Sequence, residues 1–148
     1  MRQILCVIDF SESSGKVLDV AARIASACKA HLIILFPYRL IDHSFQGKLT
    51  SLRSQLETEA KDKFNTLKKN LPVMESVSCE FQPEIGFIAD RIKAHVSKDP
   101  IDMIIVGQEQ TAATKSDLTG YNIQNLIATS NLPFVIVPAN VNQEAGVH

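Results

Sequence analysis

The residues best placed to do chemistry are an acid and a glycine. Asp9 follows the apolar run Ile4-Leu5-Cys6-Val7-Ile8, and Gly107 follows Met103-Ile104-Ile105-Val106. Runs of this kind suit strands buried on both faces. In an open parallel sheet, ligands bind beyond the carboxyl ends of the strands, where the strand order reverses. If those two strands are neighbours there, a carboxylate faces a glycine turn. That pair suits a ligand with a hydrogen-bonding base or sugar and a phosphate tail. On the other reading of the same pair, Asp9 caps the first helix and Gly107 makes a turn.

Other chemistries find little support. His31, His43, His95 and His148 lack metal-ligand spacing, so no metal site is expected. His95 falls in a helical pattern and is expected to be a partly exposed surface residue. Ser11, Ser13 and Ser14 have no histidine nearby for a nucleophilic triad, and helix capping explains them better. Cys6, Cys28 and Cys79 are odd in number and widely spaced, so they read as small core hydrophobes. There is no G-x-x-x-x-G-K-[S/T] phosphate loop. With 15 Lys+Arg against 16 Asp+Glu and 6% aromatics, neither nucleic acid nor a polybasic membrane mode is expected. The longest apolar runs, HLIILFPY and DMIIVG, fall far short of the roughly 20 residues that span a bilayer. No cleavable-signal pattern is visible, and with the absence of a disulfide framework a cytoplasmic protein is expected.

The elements that must position Asp9 and Gly107 alternate along 148 residues, the length of one domain. The first helix carries Val17, Ala21, Ile24, Ala25 and Cys28 on one face. The second strand, Leu32 to Phe36, stops at Pro37, and Tyr38 to Gln46 reads as a loop. A long helix bears Leu49, Leu52, Leu56, Ala60, Phe64, Leu67 and Leu71 and ends at Pro72. Val77 to Phe81 alternates like an edge strand. Pro83-Glu84 opens a third helix with Ile85, Ile88, Ala89, Ile92 and Val96. After the fourth strand, residues 108–119 are polar and lack a core face. A short helix with Ile123, Leu126 and Ile127 precedes the fifth strand, Phe134 to Val137. The sum is an α/β, Rossmann-like domain: a five-stranded parallel open sheet, order 3-2-1-4-5, with helices on both faces. Residues 1–138 form the domain and 139–148 a loose tail.

These residues resemble the universal stress protein family. The resemblance rests on ILCVIDFSESS, QPEIGFIADRI, DMIIVGQEQ and NLPFVIVPAN in that order, nearly the whole length. It implies a small stress-response protein that pairs through strand five, an apolar sheet edge. Nucleotide-binding members carry G-x-x-G-x9-G-[S/T] after strand four. Gly107 and Gly120 match the first and third fixed positions, whereas Gln110 and Tyr121 replace the second glycine and the hydroxyl residue. Asp9 matches the family position that contacts base or ribose. Glutamine costs about 1–2 kcal/mol where a left-handed backbone is required. A lost hydroxyl-to-phosphate bond costs about 1.5–3 kcal/mol. Together these weaken binding roughly a hundredfold. Lys115 is the only base in the loop, beside Glu109 and Asp117.

The resemblance therefore implies a non-catalytic regulatory or interaction protein, with ATP held weakly or not at all and an unidentified protein partner. The alternative is an ATP- or AMP-binding member with slow hydrolysis. A receiver-type phosphoacceptor is disfavoured, because Gln82 and Pro138 stand near where its aspartate and lysine belong.

Overall fold

The structure is a computed structural model, described for residues 2–40 and 49–139. All of the expected tail but Ala139, and most of the loop expected after the second strand, lie outside the described residues. Five strands form one sheet: β1 (Gln3–Val7), β2 (His31–Tyr38), β3 (Cys79–Ile85), β4 (Met103–Gly107) and β5 (Phe134–Val137). Their order is β3-β2-β1-β4-β5, and every pairing is parallel. The helices are α1 (Ser14–Cys28), α2 (Leu49–Lys69), α3 (Ile88–Lys98) and α4 (Ile123–Thr129).

Strand alternation divides the core. Ile4, Cys6, Leu32, Ile34 and Ile105 pack with Val17, Ala21 and Phe64 of α1 and α2. Leu5, Val7, Ile33, Leu35, Ile104 and Val106 pack with Ala89, Ile92, Ile123 and Leu126 of α3 and α4. A strand apolar at every position is thus apolar on both faces, and a helix layer covers each. Adding extended and helical segments in turn leaves only this layered arrangement.

Two expected boundaries shift, and proline parity explains both. Strand β2 runs through Pro37 to Tyr38 instead of stopping at Phe36. His31 N donates to Arg2 while Leu32 N donates to Ser78, so odd-numbered residues of β2 donate toward β1. The missing donor of Pro37 therefore falls on the β1 side. There the pairing has ended at Val7–Leu35. Strand β3 likewise runs through Pro83 to Ile85, and α3 starts at Ile88 rather than at Pro83-Glu84. Gly86 N donates to Tyr38 O, so even-numbered residues of β3 face β2 and Pro83 faces the open edge. Both prolines occupy positions where the ladder needs no N–H. Long helix α2 ends at Lys69, and Pro72 opens a 3₁₀ turn, Pro72–Ser76.

Three further expectations change. Cys6 is buried, but Cys28 is exposed and Cys79 half-buried, so only one of the three is a core residue. His95 is 2% exposed, not a surface residue. The 108–119 segment contains a 3₁₀ turn, Gln108–Thr111, whose Gln110 is buried.

Candidate nucleotide crevice

Strands β1 and β4 are neighbours, in register Ile4–Met103, Leu5–Ile104 and Cys6–Ile105. Extending that register sets the tips bearing Asp9 and Gly107 side by side at the carboxyl edge. This is the reversal point, since β2 follows β1 on one side while β4 lies on the other.

The chain leaves β1 through Phe10, whose φ is 59°. A left-handed conformation costs about 1–2 kcal/mol for a residue with Cβ. The ring is held edge-on to Phe36, with centroids 4.8 Å apart, and lies 6.1 Å from Phe81. Asp9 then accepts at Oδ1 from Ser11 N at 2.9 Å and Ser14 Oγ at 3.2 Å. It braces the turn before α1 without capping the helix: neither donor is a helix N–H, and the N-cap position is Ser13, where no side-chain cap bond forms. Asp9 also lines the open crevice described below. Ser13 Oγ donates to Glu109 Oε1 at 2.7 Å, joining α1 to the loop after β4.

Gly107 has φ −79°, an ordinary value. Its glycine identity answers to proximity: a Cβ there would lie 3.2 Å from Val17 Cγ2. The Gly107 N–H donates to Gln110 Oε1 at 3.0 Å in a buried bond. Gln110 therefore folds back onto the backbone donor that opens the loop. At the loop's far end, Gly120 has φ +89° and open space around its missing Cβ. Here left-handed freedom is what glycine supplies. Asp117 Oδ1 accepts from Thr119 N at 2.7 Å, Thr119 Oγ1 at 2.6 Å and Tyr121 N at 3.0 Å. Those bonds, the Thr119 hydroxyl first, hold the Asp117 carboxyl below its usual range. The Tyr121 ring packs against the α3–α4 side of the core, with Lys93 Nζ 5.6 Å from its centroid.

Two spaces adjoin these residues. The notch directly between the tips, lined by Asp9, Ser14, Val17, Gly107, Glu109 and Gln110, measures only about 10 Å³. A single water needs roughly 10–15 Å³, so the notch is essentially filled. Beside it opens a crevice of about 280 Å³ between the tips of β1, β2 and β3 and the 114–116 loop. Its walls include Asp9, Tyr38, Arg39, Phe87, Gln110 and Lys115.

The structure thus brings Asp9, Gly107 and Gln110 together, and holds Gly120 and Tyr121 with Asp117 at the far end of the loop. Sequence reasoning missed Arg39 and Phe87. Arg39 fell in a segment read as loop, and Phe87 in one read as helix interior. The signal available was positional: both follow the carboxyl ends of strands on this rim.

Comparison with known proteins follows the same outline. The family model described as the universal stress protein family matches residues 1–138. No curated protein matches the chain. Several solved structures share its fold. One is a universal stress protein in complex with cAMP, 22% identical, covering 93% of this chain and 96% of its own, with TM-score 0.61. Another is universal stress protein UspA from Lactobacillus plantarum, 17% identical over 92% and 97% of the two chains, with TM-score 0.66. A third is a universal stress protein from Archaeoglobus fulgidus in complex with dAMP, 15% identical over 93% and 97%, with TM-score 0.61.

Proposed function

The chain belongs to the universal stress protein family, and from that premise we propose that it is a non-catalytic regulatory or interaction protein that binds ATP weakly or not at all. The observation that carries this reading is the internal use of the loop's donors. Phosphate loops work by aiming free backbone N–H groups at phosphate oxygens. Here Gly107 N–H serves Gln110, and the N–H groups of Thr119 and Tyr121 serve Asp117. A polyphosphate would have to displace a buried amide oxygen and a carboxylate. Leaving a buried acceptor unsatisfied costs about 1–3 kcal/mol, which opposes binding by up to roughly a hundredfold.

The acids nearest the strand tips are likewise used within the fold: Asp9 is engaged with Ser11 and Ser14, and Glu109 with Ser13. No described helix is long and apolar enough to cross a membrane. The described cysteines are free thiols, in keeping with a cytoplasmic setting. The edge strand β5 leaves Ile136 44% exposed, which supports pairing of two copies there or docking of a protein partner.

A thermal-shift titration with ATP and Mg²⁺ tests this. The expected outcome is no rise in melting temperature at submillimolar ATP. A clear rise there overturns the reading.

A further inference from the structure

The amino ends of β2 and β3, at the opposite rim from the crevice, carry a serine, a histidine and a glutamate in contact. Ile33 and Glu80 are register partners, and Ile33 packs on the α3–α4 side of the sheet. Alternation along the strands puts His31 and Glu80 on that same side. His31 Nδ1 lies 2.8 Å from Ser78 Oγ, and His31 Nε2 lies 2.8 Å from Glu80 Oε1. The other oxygen of Glu80 accepts from Gln82 Nε2. The hydrogen bond with His31, first among the causes, holds the Glu80 carboxyl below its usual range. An ionised carboxylate only accepts. The neutral imidazole therefore carries its proton at Nε2 and turns the Nδ1 lone pair to the Ser78 hydroxyl. The backbone holds both partners, since Leu32 N donates to Ser78 O and His31 N to Arg2 O, each at 2.8 Å. Ser78 is exposed, and the His31 side chain keeps 20% of its surface. The hydroxyl is thus open to a reagent while the ring is fixed.

A serine bonded to a base, whose other nitrogen is oriented by a carboxylate, is the arrangement that activates a hydroxyl as a nucleophile. Ser78 O faces β2, so the next N–H, that of Cys79, points to the open edge of the sheet, outside the ladder. The N–H that follows a nucleophilic serine is a common donor to the oxyanion of acyl transfer. We propose that Ser78 is an acyl-acceptor site, which takes a small acyl group from an activated ester or thioester in one stoichiometric step. Ser78 Oγ bonds to the acyl carbon and its proton passes to His31 Nδ1. The bond from that carbon to the leaving group breaks, and the proton departs on the released alcohol or thiol. Nothing is oxidised or reduced. Nδ1 adjoins the ring carbon that joins the backbone side of the residue, so the space over it is narrow and suits a short acyl group. The product is an alkyl ester, less activated than its donor, and it accumulates. This goes beyond the proposed function, keeps its non-catalytic reading and uses no residue of the crevice.

Treatment of the full chain with p-nitrophenyl acetate, followed by intact-mass measurement and peptide mapping, tests the assignment. Ser78 is expected to gain an acetyl group with release of a single equivalent of p-nitrophenol. Ser76, exposed but with its hydroxyl donating to Val73 O, is the internal reference and is expected to stay unmodified. His31→Gln is expected to slow acetylation of Ser78 about a hundredfold, the scale of a lost general base. Glu80→Gln is expected to slow it by a smaller factor, and Glu80→Asp, which keeps the carboxylate, by less than Glu80→Gln. An unchanged melting temperature for each variant shows that folding is intact. Acetylation of Ser78 no faster than that of Ser76, a rate indifferent to His31→Gln, or an acetyl group found on His31 in place of Ser78 overturns the assignment. Release of many equivalents that Ser78→Ala abolishes overturns instead the stoichiometric step and, with it, the non-catalytic reading of the chain.

Discussion

Gly107 and Gly120 bracket the loop after β4, yet their backbones need glycine for different reasons. At Gly120 the requirement is dihedral, since φ is +89° and nothing lies within 4 Å of a Cβ. Gly120→Ala should cost about 1–2 kcal/mol in urea denaturation whatever its neighbours are. At Gly107 the requirement is spatial, since the added Cβ meets Val17. Gly107→Ala should cost about 1–3 kcal/mol, and Val17→Ala should relieve part of that cost in a double-mutant cycle. Val17→Ala should leave the cost of Gly120→Ala unchanged. Tyr38, on the crevice wall, supplies a pH prediction. Burial first, and then its hydrogen bond to Glu57, push the Tyr38 phenol up to about 12. A raised acid pKa means that the neutral form is favoured in the fold. Its contribution to stability is complete below the unfolded value near 10 and is lost as pH climbs from there through about 12. Denaturation midpoints measured across that window should fall less steeply in Tyr38→Phe than in the parent.

At the scale of elements, β3 and α3 are tied by a polar cluster as well as by packing. Glu84 of β3 accepts from Arg91 Nε at 2.9 Å and sits 2.8 Å from His95 Nε2, both on α3. His95 Nδ1 faces Asp99 at 3.4 Å. Residues 80, 82 and 84 form the polar face of an edge strand, and α3 covers that face at Glu84. Replacing His95 with alanine opens a cavity and removes a partner from a mostly buried carboxylate. The expected loss is about 2–3 kcal/mol, and a cycle with Glu84→Gln should show coupling above about 0.5 kcal/mol. The amphipathic period of this helix was legible in the sequence, and so was its apolar face. Its start was not, because Pro83-Glu84 is a common helix opening, and only the open edge of β3 makes a proline tolerable inside a strand. The burial of His95 was equally hidden, since the sequence does not pair it with a carboxylate eleven residues upstream.

For the molecule as a whole, the sheet has two edges that differ in character. Strand β3 presents Pro83 and alternate polar residues, which discourage further pairing. Strand β5 is Phe-Val-Ile-Val with Ile136 exposed. In the proposed homodimer, Ile136→Asp should convert the sedimentation profile from dimer to monomer while preserving the circular dichroism spectrum. A dimer that persists in this variant places the contact elsewhere. By itself the sequence determined the five strands, their parallel direction, their order and the rim that carries Asp9 and Gly107. Short doubly apolar runs separated by amphipathic helices permit few arrangements, because each strand must be covered on both faces. Set against the pattern that the family resemblance implies, it also singled out Gln110 and Tyr121 as departures. Only the tertiary structure decided what those departures do: Gln110 closes onto Gly107, Asp117 gathers the donors around Gly120, and Arg39 meets Phe87 across the crevice. The periodicity of an element is a local property of the chain. These contacts form between turns after different strands, and such turns meet only once the sheet has assembled.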